Sequence, residues 1–218
     1  MYALHPGRGR RWREIPGIEL IASEGRAVIT FDDGPDVDAT PAVLDALDAA
    51  GAHATFFVVA TQMFRWPVLM EEIRDRGHEI GLHGYEHQRQ DRISPEHSRD
   101  DVIRGFGAIE EVTGERCRWY RPPFGRMSTA SASACEELGM TPVYWSAWGL
   151  DWEDVAADRI TDIACSELNE GGILLLHDSA RYGRRPNAMA TARAIPAISA
   201  RAADSGIALV SLGEAVCK

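Results

Sequence analysis

Apolar and polar positions along the chain fall into two alternating rhythms. Near-continuous apolar runs occur at 26–31 (RAVITF), 54–60 (ATFFVVA), 78–82 (HEIGL), 117–120 (CRWY), 141–147 (TPVYWSA), 173–176 (ILLL) and 207–210 (IALV). They are short and mostly rich in β-branched and aromatic residues, which predicts strands. Between them, apolar residues recur every three to four positions over 40–50, 67–76, 95–114, 128–138, 155–169 and 187–205, which predicts helices. Thr40-Pro41 and Ser94-Pro95 read as a cap followed by proline at the first helical position. Gly51, Gly77, Gly114 and Gly139 read as stops. Pro196 lies inside the last long helix and predicts a kink or a split there.

Strand–helix alternation over seven units predicts an α/β protein whose parallel sheet is covered by helices. Strands with little alternation fit a sheet buried on both faces. Seven units favour a short, irregular (β/α)7-type barrel over an open doubly wound sheet. No internal linker or low-complexity tract interrupts the pattern, so 26–218 reads as one domain, with 1–25 as an N-terminal extension packing on the barrel.

Composition narrows the classes. Of 218 residues, 45% are hydrophobic and 26% charged, ordinary for a soluble globular domain. A net charge of −10 argues against nucleic acid and against an anionic membrane surface. No stretch approaches the ~20 apolar residues of a membrane span. Arg8, Arg10, Arg11 and Arg13 are not followed by the apolar run of a secretory signal, so a cytoplasmic location is expected. Cys117, Cys135, Cys165 and Cys217 form no C-x-x-C pair, which disfavours a thiolate zinc site and predicts reduced, mostly buried thiols.

The candidate chemistry lies where the predicted strands end. The first leads into Asp32 and Asp33, the third into His83 with His87 one helical turn on, the fourth into Arg121. The fifth leads to Asp151 and Trp152, the sixth to His177 and Asp178. In a parallel barrel all five sets share one rim, the face where such folds carry chemistry. Each has a plainer reading alone: Asp32-Asp33-Gly34-Pro35 as a tight turn, the histidine pair as a surface pair, His177 as a core histidine, Arg121 as a solvated charge. Their conjunction favours a metal-dependent hydrolase, in which a carboxylate and two imidazoles hold a cation and a second carboxylate acts as base. Among the aromatics, Tyr85, Trp148 and Trp152 are candidates for stacking on a sugar, while Trp145 reads as core. The segment 179–186 carries Arg181, Arg184 and Arg185 beside His177 and reads as a solvated loop or a lid toward an anionic group.

The chain resembles the polysaccharide deacetylases of the NodB-homology class, carbohydrate esterase family 4, over about 26–212. TFDDGP at 30–35, HGYEH at 83–87, RPPFG at 121–125, Asp151-Trp152 and LLLHD at 174–178 look like the family's five motifs in order. The resemblance implies that Asp33, His83 and His87 bind a divalent metal, usually zinc, with cobalt, nickel or iron able to suit the same ligands. It implies Asp32 as catalytic base held by Arg121, and His177 as general acid tuned by Asp151. It also implies the backbone N–H of Phe124 at the oxyanion, and Trp152 and Leu176 around the acetyl methyl. Tyr85 is added as a substrate contact. One position departs: Gly84 stands where the family prefers Ser or Thr, whose hydroxyl braces the metal-bearing loop. The implied activity is removal of an N-acetyl group from an acetamido sugar or glycan. An O-acetyl esterase or a hydrolase of non-sugar amides is the alternative on the same scaffold, and a non-catalytic sugar-binding protein the reading outside enzymes.

Overall fold

In the computed structural model, which describes residues 15–216, the first apolar run becomes β1 (Arg26–Asp32), followed by α1 (Ala39–Ala50), β2 (Thr55–Val58), α2 (Ala60–Met63), α3 (Pro67–Asp75) and β3 (Glu79–Leu82). Then come α4 (Pro95–Thr113), β4 (Trp119–Tyr120), a 3-10 turn (Pro123–Gly125), α5 (Thr129–Leu138), β5 (Thr141–Pro142) and β6 (Ala147–Trp148). The chain ends with α6 (Ala157–Glu167), β7 (Ile173–His177), α7 (Met189–Asp204), β8 (Ala208–Val210) and α8 (Leu212–Val216). No helix among the described residues is long and apolar enough to cross a membrane.

The caps fall largely where turn chemistry puts them. The Ser94 hydroxyl accepts from His97 N–H at 3.2 Å, and Gly114 ends α4 in the left-handed region at φ 69°. Thr40 is not the cap of α1, which starts one residue earlier. The cap position is Asp38, whose side chain makes no capping bond, and the Asp36 carboxylate instead accepts from Asp38 N–H at 3.1 Å and Ala39 N–H at 2.9 Å. Pro196 does not split α7, which runs as one helix from Met189 to Asp204 with the proline inside it. Pro196 itself sits on the exposed side of the helix.

All strand pairs are parallel, in the order β5-β4-β3-β2-β1-β7-β6, with β8 paired to the first half of β1. The expected fifth strand divides. Thr141–Pro142 pairs with β4 and Ala147–Trp148 pairs with β7, so one covalent run joins the two ends of the sheet and curls it into an irregular barrel. Residues 18–20 meet this seam, Ile18 bridging Val143 and Leu20 bridging Gly172. Residues 1–14 of the expected N-terminal extension, with its four arginines, lie outside the described residues, as does Cys217. Cys117, Cys135 and Cys165 are free thiols.

Strand alternation separates two cores. Ala27, Ile29, Phe31, Phe56, Val58, Leu174 and Leu176 face the helices. Val28, Phe57, Trp119, Val143 and Ile173 fill the barrel interior. The inward parity then continues upward through Thr30 and Arg121 to Asp32, His83 and His177 at the carboxyl ends of the strands.

Candidate active site

Arg121 is the centre of the inward polar layer. It is fully buried between the rings of Phe57 (4.1 Å) and Trp145 (5.8 Å). Its Nη1 donates to Asp32 Oδ1 at 2.8 Å and to Thr30 Oγ1 at 2.7 Å, and its Nη2 donates to the Tyr144 carbonyl at 2.9 Å. A buried cation with a carboxylate partner and several further acceptors is the arrangement that burial demands. Trp145 supports the site from below, packed partly buried against the barrel core, but it lies between β5 and β6 rather than within the expected strand.

Asp32 closes β1, and Asp33 leaves the strand at φ 80°. A non-glycine residue there costs about 1–3 kcal/mol. Had the strand continued, the two carboxylates would point to opposite faces. The left-handed turn brings both to His83 instead: its Nε2 lies 3.5 Å from Asp33 Oδ1 and 3.7 Å from Asp32 Oδ2. Behind this turn stands Asp178, whose role the sequence did not suggest. Its carboxylate accepts from the Thr40 hydroxyl at 2.6 Å, and a Cβ at Gly34 would lie 2.2 Å from it, so only glycine fits. Burial and the charge of Asp33 raise the Asp178 pKa to about 7 against the hydrogen bond from Thr40.

His87 Nε2 lies 3.2 Å from Asp33 Oδ1. The two histidines meet through an irregular loop rather than the expected helical turn. Among the described residues, Asp33, His83 and His87 form the group able to hold a metal ion, with one ligand atom of each within 4.8 Å of the others. The donors suit a divalent cation. Asp33 Oδ1 is buried without a hydrogen-bond partner. Burial opposes ionisation of Asp33, but the charges of the nearby His87, His177 and His83 outweigh it and hold the carboxyl well below its usual range. Burial lowers His83 to about 4, which keeps the imidazole neutral at pH 7, the form that ligates. His83 Nδ1 meets the Arg121 carbonyl at 2.7 Å, aiming Nε2 at the cluster.

On the other side of this group, His177 Nδ1 bonds Asp151 Oδ1 at 2.9 Å. Asp151 is fully buried, and its Oδ2 accepts from His177 N–H at 2.8 Å and from the Thr191 hydroxyl at 2.7 Å. Arg185 lies 3.5 Å from the same oxygen and donates to the carbonyls of His177 and Ser179. Arg185 is therefore a buried strut rather than part of a lid, while Arg181 stays exposed. Burial alone would lower His177. The Asp151 charge and hydrogen bond, with the charges of Asp33 and Asp32, overcome it and raise the ring to about 9.

The remaining sequence candidates separate. Trp152 lies edge-on to His177 at 5.8 Å, and Phe124, at φ 59°, lies edge-on to His87 at 4.5 Å. The Tyr85 ring is turned to α4 and α2, under the Arg104 guanidinium at 3.9 Å and 6.5 Å from Phe64. Leu176 is fully buried on the helix side. Leu175 shares the barrel-facing side with His177. Sequence reasoning passed over Leu175, Thr191, Tyr182 and Asp101. Only strand parity could have raised the first, and no local signal marks the others.

A sequence model of the polysaccharide deacetylase family matches residues 21–143, more than half of the chain. The chain belongs to the polysaccharide deacetylase family. A peptidoglycan-N-acetylglucosamine deacetylase of Bacillus cereus is 29% identical over 157 residues, 72% of this chain. The chain spans little more than half, 57%, of that protein's length. A second protein of that name from the same species is 34% identical over 186 residues, 84% of each chain. The crystal structure of a peptidoglycan N-acetylglucosamine deacetylase superposes with a TM-score of 0.83 at 26% identity, covering 90% of this chain and 91% of that one. The family is metal-dependent, and its fold is the curled parallel sheet described above.

Gly84, atypical for the family, has a structural reason here. Its φ is 89°, and a Cβ would lie 2.8 Å from the Glu86 carbonyl and 2.9 Å from Asp101 Oδ2. Asp101, buried on α4, braces the loop in place of a hydroxyl at position 84: it accepts from Tyr85 N–H at 3.1 Å, Glu86 N–H at 2.9 Å and Gln90 Nε2 at 3.1 Å. Gly84→Ser is therefore expected to destabilise the protein by about 1–3 kcal/mol rather than to restore a brace, as read by thermal melting.

Proposed function

We propose that the chain is a metal-dependent N-deacetylase acting on an acetamido sugar within a glycan. The observation that carries this reading is the flanking of one buried Asp–His–His set by two different proton carriers, the Asp32–Arg121 pair and the Asp151–His177 pair. The relatives' names support the substrate class, since they act on peptidoglycan N-acetylglucosamine or, in Azorhizobium caulinodans, on chitooligosaccharides.

Asp33, His83 and His87 would hold the cation, which we read as zinc, with cobalt, nickel or iron as alternatives. When bound, it supplies Lewis acidity that lowers the pKa of water and draws charge from a carbonyl oxygen. Asp32, fixed through Oδ1 by Arg121, takes the proton from the attacking water with its other oxygen. The water oxygen bonds to the acetyl carbon, and the backbone N–H of Phe124 meets the charge that gathers on the carbonyl oxygen. His177, protonated, gives its proton to the amine nitrogen as the C–N bond breaks. Acetate and a free amino sugar leave. Trp152 and Leu175 border the acid, where the acetyl methyl needs an apolar wall.

Acetate release from N-acetylglucosamine oligomers is the test. It is expected from the zinc-loaded protein, lost on chelation and restored by zinc. Release confined to O-acetylated xylan would replace the amide reading with the esterase one.

A further inference from the structure

The two candidate metal histidines are held in different ways. His83 has a backbone acceptor for its second ring nitrogen, the Arg121 carbonyl. His87 has none: its Nδ1 is buried without a hydrogen-bond partner. Metal-binding imidazoles are usually oriented through that nitrogen. The His87 ring is instead enclosed by rings. Tyr182 stacks on it face to face, with centroids 4.0 Å apart and planes 9° apart, and Phe124 meets it edge-on at 4.5 Å.

We propose that Tyr182 is a positioning residue of the metal centre, its stacked ring holding the His87 imidazole with Nε2 toward Asp33 in place of a hydrogen bond. This rests on reading Asp33, His83 and His87 as the metal ligands. Tyr182 comes from the segment that follows β7, five residues after His177, and that segment is fastened rather than free. Arg185, buried, ties its base to the His177 and Ser179 carbonyls. Arg184 N–H donates to the Trp152 carbonyl at 2.7 Å. A Cβ at Gly183 would lie 2.9 Å from that same carbonyl oxygen, so glycine permits the close approach. Gln62 Nε2 reaches the Tyr182 hydroxyl only at 3.5 Å, which leaves the ring face as the main contact. The strand that delivers the general acid thus also delivers the ring that fixes a metal ligand. Position 182 is tuned to the flatness of the side chain more than to its hydroxyl.

The zinc dissociation constants of the full chain and its variants, measured by competition with a chelator, test this. Tyr182→Ala is expected to weaken zinc binding about tenfold or more, the size usual for outer partners of a ligand. Tyr182→Phe is expected to bind as the wild type does. Tyr182→Leu, which fills the space without a flat face, is expected to fall between, and serves if the alanine variant does not fold. Unchanged zinc affinity in Tyr182→Ala or Tyr182→Leu, with only KM raised, would overturn the proposal and make Tyr182 a substrate contact. Tyr182→Phe as weak as Tyr182→Ala would overturn it too, since the hydroxyl would then be the anchor. A wild type that takes up no zinc would instead sink the metal-site reading beneath it.

Discussion

Asp32→Asn is expected to lower kcat by about 10²–10⁴-fold, the usual contribution of a general base, while zinc binding survives. The geometry separates the two carboxylates. Asp33 turns out of β1 at φ 80° and offers a buried, unbonded oxygen to His83 and His87. Asp32 stays on the strand, with Oδ1 taken by Arg121 at 2.8 Å and Oδ2 on the side of His83. Asparagine keeps the shape and an oxygen for Arg121 but cannot accept the proton. It also leaves the Arg121 cation buried without its counter-charge, and breaking such a pair can cost about 3–5 kcal/mol. The rate is therefore to be read well below the variant's melting temperature, with zinc content measured on the same sample. A zinc-loaded Asp32→Asn of wild-type kcat would show that another group is the base.

The strand ends were legible because the chemistry follows immediately on apolar runs whose length and neighbours are local. Asp32, His83, Arg121 and His177 come together as the alternation of parallel strands requires. What failed was orientation beyond that alternation. ILLL itself carries no polar marker of its two faces, and only its parity with His177 separates the inward Leu175 from Leu176. Register shows that Leu175 faces inward and Leu176 faces the helices. TPVYWSA reads as one strand, since apolar continuity does not encode that the run must join both ends of a curled sheet. Tyr85 sits within the histidine motif, but the left-handed Gly84 turns its ring toward Arg104.

Partners that act across long stretches of sequence were illegible for a different reason. Asp101 braces the metal loop from a helix where it reads as one acidic residue among several, and Thr191 reaches Asp151 from forty residues away. Tyr182 was hidden among arginines that drew attention to charge. Of those arginines, Arg185 is a buried strut for the Asp151–His177 pair.

That pair carries the second large effect, an expected fall of about 10²-fold or more in Asp151→Asn at pH 8, with a displaced pH profile. The ordinary imidazole pKa is near 6.5, and in this protein His177 stands at about 9. Burial pulls it down, but Asp151, Asp33 and Asp32 hold it up, so the ring is protonated at neutral pH and can serve as acid. A cation held by Asp33 cancels one of those charges, so the basic limb of the zinc-loaded enzyme is expected somewhat below 9. Without the Asp151 charge, burial prevails, and the limb moves to the acid side of its wild-type position. The variant should then recover part of its activity as pH falls toward 6, whereas His177→Gln should not. Stability follows the same sign. A folded-state pKa above the unfolded one contributes stability that is complete below about 6.5 and disappears as pH rises through about 9. Wild type should lose melting temperature across that window relative to Asp151→Asn, whose His177 no longer gains a proton on folding. A pH–rate profile of Asp151→Asn that superimposes on the wild type would remove Asp151 as the group that keeps His177 charged.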